Sequence, residues 1–127
     1  DDSLKNICTI SNEFGADVFV SLHLNAANSP DAQGPETFYL DGSEEGKRLA
    51  NCVHQKIVNN LGAHGRDRGI KTANFYVLLY TDAPAILIEA GFITNVWEEA
   101  TLHDPWVKRA VADAIVDGVL KYFKGVC

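Results

Sequence analysis

Hydrophobic positions recur with the period of an α-helix in three segments of the chain. From Ser3 to Phe14 they recur every three or four residues, and Gly15 follows as a residue suited to end a helix. Between Ser43 and Leu61 a hydrophobic residue recurs at every fourth position, and Ser43 can cap the first turn of this helix. A third stripe follows the N-cap and proline of Asp104-Pro105 and continues to Phe123. The pattern therefore predicts three helices.

Short apolar runs between these helices are typical of β-strands. Val18–Leu24 is apolar on both faces, which predicts a central strand covered by helices on both sides. Thr37–Leu40, Phe75–Leu79 and Ala85–Glu89 predict three further strands. Strands that alternate with helices indicate an α/β domain, with a mostly parallel sheet flanked by helices on both faces. No repeat or linker divides the sequence, so residues 1–127 are expected to form a single domain.

Composition narrows the class of protein. The 127 residues are 46% hydrophobic, enough for one core, and they carry a net charge of −6. This charge weighs against nucleic-acid binding, and no apolar stretch approaches the roughly 18 residues needed for membrane insertion. The three cysteines show no metal-binding or redox spacing. The chain has no methionine and begins Asp-Asp, so we expect that upstream residues were removed or not included.

Polar residues that could take part in catalysis or binding lie at the ends of two predicted strands. Ser21, His23 and Asn25 alternate on one face of the first strand, and Glu89 ends the last one. Because α/β sheets bind ligands at the carboxyl ends of their strands, parallel pairing would bring His23 and Glu89 to one rim. Structural interpretations stay open: His23 as a half-buried histidine bonded to a neighbour, and Glu89 as a strand-end carboxylate facing water or a helix N-terminus.

Other candidate residues fit known chemistry less well. Cys8 and Cys52 lie within predicted helices, away from the helix N-termini that stabilise a thiolate, which disfavours a cysteine nucleophile. Gly62–Gly69 lacks phosphate-binding spacing, and its arginines are either solvated or able to pair with a substrate carboxylate. We interpret Glu36 as a structural or rim carboxylate and His54 as a surface residue.

Four blocks of sequence resemble a known family. Ala16–Ala26, ADVFVSLHLNA, resembles the ADxFVSxHxNA segment of the zinc-dependent N-acetylmuramoyl-L-alanine amidases. Gly34–Leu40, Arg68–Leu78 and Pro84–Asn95 are similar to the following family blocks in the same order, the last of them to PAxLxExGFxxN. The resemblance extends from Asp1 to about Phe123.

This resemblance implies a function and a set of site residues. The family hydrolyses the amide between N-acetylmuramic acid and L-alanine in peptidoglycan, outside the cytoplasm. The motifs imply that His23 is a zinc ligand and Glu89 the catalytic carboxylate. Asn25, on the same strand face as His23, and Arg68 are predicted to bind the muramyl peptide. Zn²⁺ polarises a carbonyl and acidifies a bound water, and a carboxylate can carry the proton to the leaving amine.

The family's other two zinc ligands, a histidine in a GHGG turn and a following glutamate, lie upstream of the first residue. We therefore expect the C-terminal majority of a catalytic domain, with its first strands upstream, an uncovered sheet flank, poor solubility and weak zinc binding. His64 and His103 are conceivable substitute ligands, although their spacing gives no support. One alternative is a non-catalytic peptidoglycan-binding or regulatory module with the same fold and an incomplete zinc site. A second alternative is an unrelated hydrolase that uses Cys52.

Overall fold

The computed structural model describes residues 2–127, which form one four-stranded sheet with helices on both faces. The elements in chain order are α1 Asp2–Phe14, β1 Phe19–Asn25, β2 Glu36–Tyr39, α2 Glu44–Leu61, β3 Ile70–Thr72, α3 Tyr76–Leu79, β4 Ala85–Phe92, α4 Val96–Leu102 and α5 Pro105–Lys124. A 3₁₀ turn at His64–Arg66 lies between α2 and β3. Across residues 2–127, no helix is both long enough and apolar enough to cross a membrane.

The prediction of a mostly parallel sheet is wrong, because the sheet is mixed. Its strand order is β1-β4-β2-β3; β1 is parallel to β4 and β2 to β3, while β2 and β4 are antiparallel. The cause is the helix-free loop at residues 26–35. A parallel return requires a crossover of about a dozen residues or more, usually a helix, whereas this loop stays at one end of the sheet and reverses the chain. The end of β1 and the start of β2 therefore lie at the same rim.

The prediction that the first strand is central is also wrong. Within residues 2–127, β1 pairs only with β4 and forms an edge of the sheet. Leu22 and Leu24 are 51% and 45% exposed there, so the described helices do not cover the face that their apolar composition suggested. An apolar flank is thus exposed along β1, and its effect on solubility stays a prediction.

Helices cover the two faces of the sheet in the predicted α/β manner. α2 and α5 pack on one face, where Leu49, Val53 and Ile57 of α2 meet Ile86 and Ile88 of β4. α1 and α3 pack on the other face, through Cys8, Val77 and Leu78. The predicted caps are confirmed, since the side chain of Ser43 accepts from the N–H of Gly46 and that of Asp104 from the N–H of Trp106. Capping supports both long helices.

Three elements differ from the predicted ones. Tyr76–Leu79 is a short helix rather than a strand, and the neighbouring strand is Ile70–Thr72. A run of five apolar residues does not distinguish a buried strand from a buried helical turn, which explains this error. Helix α4, Val96–Leu102, was not predicted, although Asn95 followed three residues later by Glu98 is a capping signal that could have revealed it.

A disulfide joins Cys52 of α2 to Cys127 beyond the end of α5. The two Cα atoms are 5.2 Å apart, within the usual range for a disulfide, and the bridge spans 75 positions of sequence. The bond anchors the C-terminus to the helix beneath it. It also excludes the hydrolase interpretation based on Cys52, because this sulfur is bonded and the residue is only 2% exposed.

Substituting Cys127→Ser is expected to lower the free energy of unfolding by about 2–4 kcal/mol, because opening a long loop restores conformational entropy to the unfolded chain. Chemical denaturation monitored by circular dichroism, with and without dithiothreitol, measures this difference. Reductant should bring the unsubstituted protein down to the stability of the variant and leave the variant itself unchanged. Equal stability of the two proteins in the absence of reductant would contradict the bridge.

Candidate active site

Three neighbouring strands align His23, Glu89 and Glu36 at one rim of the sheet. His23 of β1 lies opposite Glu89 of β4, and Glu36 of β2 lies opposite Glu89 on its other side. Side chains of residues paired across strands share a face of the sheet, so the imidazole and the two carboxylates are neighbours. The predicted convergence of His23 and Glu89 is confirmed. Glu36 joins them because β2 begins where β1 and β4 approach their ends.

Glu89 is a carboxylate without a partner in an otherwise buried strand. Its Oε2 is buried and makes no hydrogen bond within residues 2–127. Burial raises the pKa of Glu89, the nearby charge of His23 opposes this rise, and the charge of Glu36 adds to it. An unpaired buried carboxylate destabilises a fold, so such a group at a sheet rim is a candidate for proton transfer.

His23 lies at the exposed end of β1, so the half-buried histidine is not observed. Its Nε2 is 2.7 Å from the hydroxyl oxygen of Ser21 on the same face of the strand. Directly after His23 the register with β4 shifts, and Asn25 lies opposite Phe92. Irregularities of this kind re-aim side chains and are common beside active sites. His23 is thus accessible to a ligand beside the carboxyl group of Glu89.

Glu36 is 5% exposed and is surrounded by hydrogen-bond donors. Its Oε2 accepts from Arg68 Nε at 2.8 Å and from Lys71 Nζ at 2.7 Å, and its Oε1 accepts from Asn25 Nδ2 at 3.0 Å. Burial acts to raise the pKa of Glu36, but the hydrogen bonds from Lys71 and Arg68 outweigh it and the pKa is lowered. The pKa values of Glu36 and Glu89 are therefore shifted in opposite directions, lowered for Glu36 and raised for Glu89.

Asn25 and Arg68, the predicted substrate-binding residues, meet at Glu36 on opposite sides of the sheet rim. Arg68 is partly exposed and also lies with its guanidinium 4.9 Å from the ring centroid of Phe92. Lys71 was missed by the sequence analysis, because nothing in its spacing marks an ion pair with a residue 35 positions away. The structural interpretation of Glu36 is the one that these contacts support. Binding of substrate by Asn25 and Arg68 stays a prediction.

His54 is buried beside the network around Glu36, so the prediction that it lies on the surface is wrong. His54 is 5% exposed, with Nδ1 2.9 Å from the hydroxyl of Thr37 and Nε2 2.7 Å from Asp67. Asp67 also accepts from the backbone N–H of Gly69 at 2.8 Å. His54 neighbours Val53 in the stripe of α2 and lies within its wide apolar face. His54 therefore holds Asp67, and Asp67 in turn holds the backbone of Gly69 on the other side of Arg68.

The described residues account for part of a zinc site. A catalytic zinc is usually held by three protein ligands, and residues 2–127 contain no cluster of three His, Cys, Asp or Glu side chains that could hold a metal. His23 offers an accessible imidazole beside an unpartnered carboxyl oxygen, which fits one ligand and a neighbouring proton carrier. Neither His64 nor His103 completes the set. Zinc binding stays a prediction.

An α/β sheet with an exposed imidazole and an unpaired carboxylate at its strand ends is the arrangement of a candidate hydrolytic centre. A family model described as N-acetylmuramoyl-L-alanine amidase matches residues 1–121 of the chain. The chain therefore belongs to the N-acetylmuramoyl-L-alanine amidase family. The resemblance seen in the four sequence blocks is confirmed.

Individual relatives agree with this assignment. The chain is 41% identical over 111 residues to the N-acetylmuramoyl-L-alanine amidase LytC of Bacillus subtilis (strain 168), covering 86% of this chain and 22% of LytC. A crystal structure of an N-acetylmuramoyl-L-alanine amidase from Clostridium difficile 630 matches with a TM-score of 0.90 and 41% identity, covering 95% of this chain and 65% of that one. The catalytic domain of CwlV, from Bacillus (Paenibacillus) polymyxa var. colistinus, matches with a TM-score of 0.88 and 37% identity over the same shares. The chain thus spans less than two thirds of these relatives.

Substituting Glu36→Gln is expected to lower the free energy of unfolding by about 1.5–3 kcal/mol at neutral pH, because it removes the charge that Arg68 and Lys71 bind. The pKa of Glu36 is lowered in the folded state, so its stabilisation is complete above the pKa of an unfolded glutamate. It is lost as pH falls through the lower folded pKa. Urea denaturation from pH 7 down to pH 3 should therefore show the two proteins converging in acid. A constant difference over this range would show that packing, not charge, is responsible.

Proposed function

We propose that the protein is a zinc-dependent amidase that hydrolyses the bond between N-acetylmuramic acid and L-alanine in peptidoglycan. The observation that carries the proposal is the buried, unpartnered Oε2 of Glu89 on the strand next to His23. Family membership supports the reaction class. Relatives named as cell wall amidases, such as LytH of Staphylococcus epidermidis, support a site of action at the cell wall, outside the cytoplasm.

Glu89 is the residue assigned to proton transfer. Its raised pKa suits a carboxylate that takes a proton from a water molecule and returns it to the nitrogen of the leaving L-alanine. His23 is assigned as a ligand of the metal through its imidazole. Zinc, when bound, supplies the polarisation of the scissile carbonyl and the acidification of the attacking water. The two further ligands expected upstream stay a prediction.

The network around Glu36 is assigned to substrate orientation. Arg68 uses its Nε for Glu36 and remains 37% exposed, so its terminal nitrogens can donate to carbonyl or carboxylate oxygens of a muramyl peptide. Asn25, at the end of β1, is also held in place by Glu36, because its Nδ2 donates to Glu36 Oε1. Glu36 thus holds two donors at defined positions around the rim, which reduces the entropy lost when substrate binds.

Purified peptidoglycan incubated with the chain and increasing Zn²⁺ should release stem peptides with new L-alanine amino termini. Glu89→Gln is expected to lower the rate by about 10²–10⁴-fold, because it removes the proton carrier and keeps its shape. His23→Ala should abolish the response to zinc. Glu13→Gln, on the exposed face of α1, is the matched control and should hydrolyse normally. Amino-terminal labelling and mass spectrometry of the released peptides measure each rate.

The alternative is a non-catalytic peptidoglycan-binding module, which the incomplete ligand set within residues 2–127 favours. This alternative is correct if the folded chain sediments with sacculi and releases no stem peptide at any zinc concentration. Elemental analysis after dialysis gives a second readout. Zinc near one equivalent that is lost on His23→Ala supports the metal site, whereas zinc that His23→Ala leaves unchanged contradicts the assignment of His23.

A further inference from the structure

His54 is a buried titratable residue that the proposed chemistry does not use. It lies on α2 beside Val53 and is 5% exposed. A buried polar group is costly unless it is paired, and both ring nitrogens have partners: Nδ1 is 2.9 Å from the hydroxyl oxygen of Thr37, and Nε2 is 2.7 Å from Asp67 Oδ1. What a histidine adds here, compared with an aliphatic side chain, is a link between Thr37 and Asp67.

The hydrogen bonds of His54 have defined directions. Burial acts to raise the pKa of Asp67, but the hydrogen bonds from His54 and from the backbone N–H of Gly69 outweigh it and the pKa is lowered. An ionised carboxylate only accepts hydrogen bonds, so His54 Nε2 carries the proton that Asp67 receives. In the neutral imidazole Nδ1 is then an acceptor, and the hydroxyl of Thr37 donates to it. The series of bonds thus runs from Thr37 through His54 to Asp67.

Arg68 lies in the middle of a turn that Asp67 closes. Asp67 Oδ1 accepts from the backbone N–H of Gly69 at 2.8 Å, which is an Asx turn with Arg68 as its central residue. Gly69 has a φ of +77°, a backbone conformation that favours glycine. The same oxygen of Asp67 accepts from His54, so the imidazole determines where the acceptor of the turn lies. The backbone of Arg68 is thereby held at a defined position.

Backbone hydrogen bonds join this turn to the beginning of β2. The N–H of Arg68 donates at 3.0 Å to the carbonyl of Pro35, the residue before Glu36. The N–H of Thr37, the residue after Glu36, donates at 3.2 Å to the carbonyl of Gly69. The turn therefore meets β2 on both sides of Glu36.

The contact of Arg68 with Glu36 is sensitive to this support. Arg68 Nε is 2.8 Å from Glu36 Oε2, and a shift of about 1 Å in the backbone of Arg68 would lengthen this bond beyond hydrogen-bond range. Misplacing an orienting group by about 1 Å slows an enzyme even when the substituted residue is far from the reacting bond. A buried residue that fixes the turn can therefore affect the site without touching the substrate.

We propose that His54 is a positioning residue of the candidate active site. Through Asp67 it holds Arg68 on Glu36, in the position from which the exposed nitrogens of Arg68 orient the substrate. The role in orientation rests on the proposed function. The link from His54 to Arg68 is a property of the fold and is testable without activity.

Two conservative substitutions separate the two bonds of His54. Glutamine places its amide nitrogen near the position of Nε2 and keeps a donor for Asp67, whereas asparagine places its amide near Nδ1 and keeps a partner only for Thr37. His54→Asn is therefore expected to displace Arg68, and His54→Gln to restore it. Ile57→Val, which removes a methyl group from the buried face of α2, is the control for lost packing. Circular dichroism verifies that each variant is folded.

The NMR signal of the Arg68 Nε–H group reports its bond to Glu36 directly. In a proton–nitrogen correlation spectrum this signal is assigned by its absence from Arg68→Lys. His54→Asn should shift the signal and broaden it until it is lost, because the freed Nε–H exchanges with water. His54→Gln and Ile57→Val should leave it in place. An Arg68 signal that His54→Asn leaves unchanged overturns the proposal.

Steady-state kinetics on a muramyl peptide test the role in orientation. His54→Asn is expected to raise KM about tenfold with little change in kcat, as for a lost charged contact that binds substrate and transition state equally. His54→Gln should restore KM, and Ile57→Val should not alter it. In an Arg68→Ala background His54→Asn should add nothing, because both substitutions remove the same contact. Additive effects of the two substitutions contradict the positioning role.

The two readouts separate this proposal from the proposed function. Loss of the Arg68 signal on His54→Asn, in a folded chain that releases no stem peptide, supports the positioning by His54 and contradicts the amidase. Release of stem peptide with a KM that is insensitive to His54→Asn supports the amidase and contradicts the positioning role.

Discussion

The rim of this sheet is governed by one electrostatic constraint, the antiparallel pairing of β2 with β4 that sets Glu36 opposite Glu89. Like charges directly across a strand pair destabilise a sheet. The two facing carboxylates are stabilised unequally. Arg68 and Lys71 both bind Glu36 and keep it ionised, whereas Glu89 has an oxygen without a partner and a raised pKa.

This inequality gives two carboxylates of the same chemical type two different properties. A carboxylate with strong donors around it is a fixed structural charge, and a neighbouring one whose pKa is raised is better suited to exchange a proton. Glu36 also favours proton exchange at Glu89, because the charge of Glu36 helps to raise the pKa of Glu89. The cations that stabilise Glu36 are thus indirect determinants of the proton affinity of Glu89, and the buried contact of His54 with Asp67 helps to hold one of them.

The sequence predicted the elements whose local signals are strong and missed those that tertiary context decides. The helix after Ser43 and the strand that begins at Ala85 follow from local pattern and are confirmed, although this strand continues past its predicted end at Glu89 to Phe92. The direction of β2 depends on which strand it joins, so an assumption of parallel pairing failed. His23 and Glu89 were found from their position at strand ends, whereas Lys71 and His54 were not, because their importance arises from partners distant in sequence.

Glu98 shows how the site and the rest of the fold are coupled. Its carboxylate binds the backbone of Gly34 and Phe92, so it ties the loop before β2 to the end of β4. Gly34 has a φ of +105°, and an added Cβ would lie on the carbonyl oxygen of Arg66. Only glycine therefore lets the loop pass this close to the backbone of Arg66 and deliver Glu36 to the rim two residues later. Because Glu98 also binds Arg66, whose guanidinium lies over the ring of Trp97, one buried carboxylate links the candidate site to the start of α4.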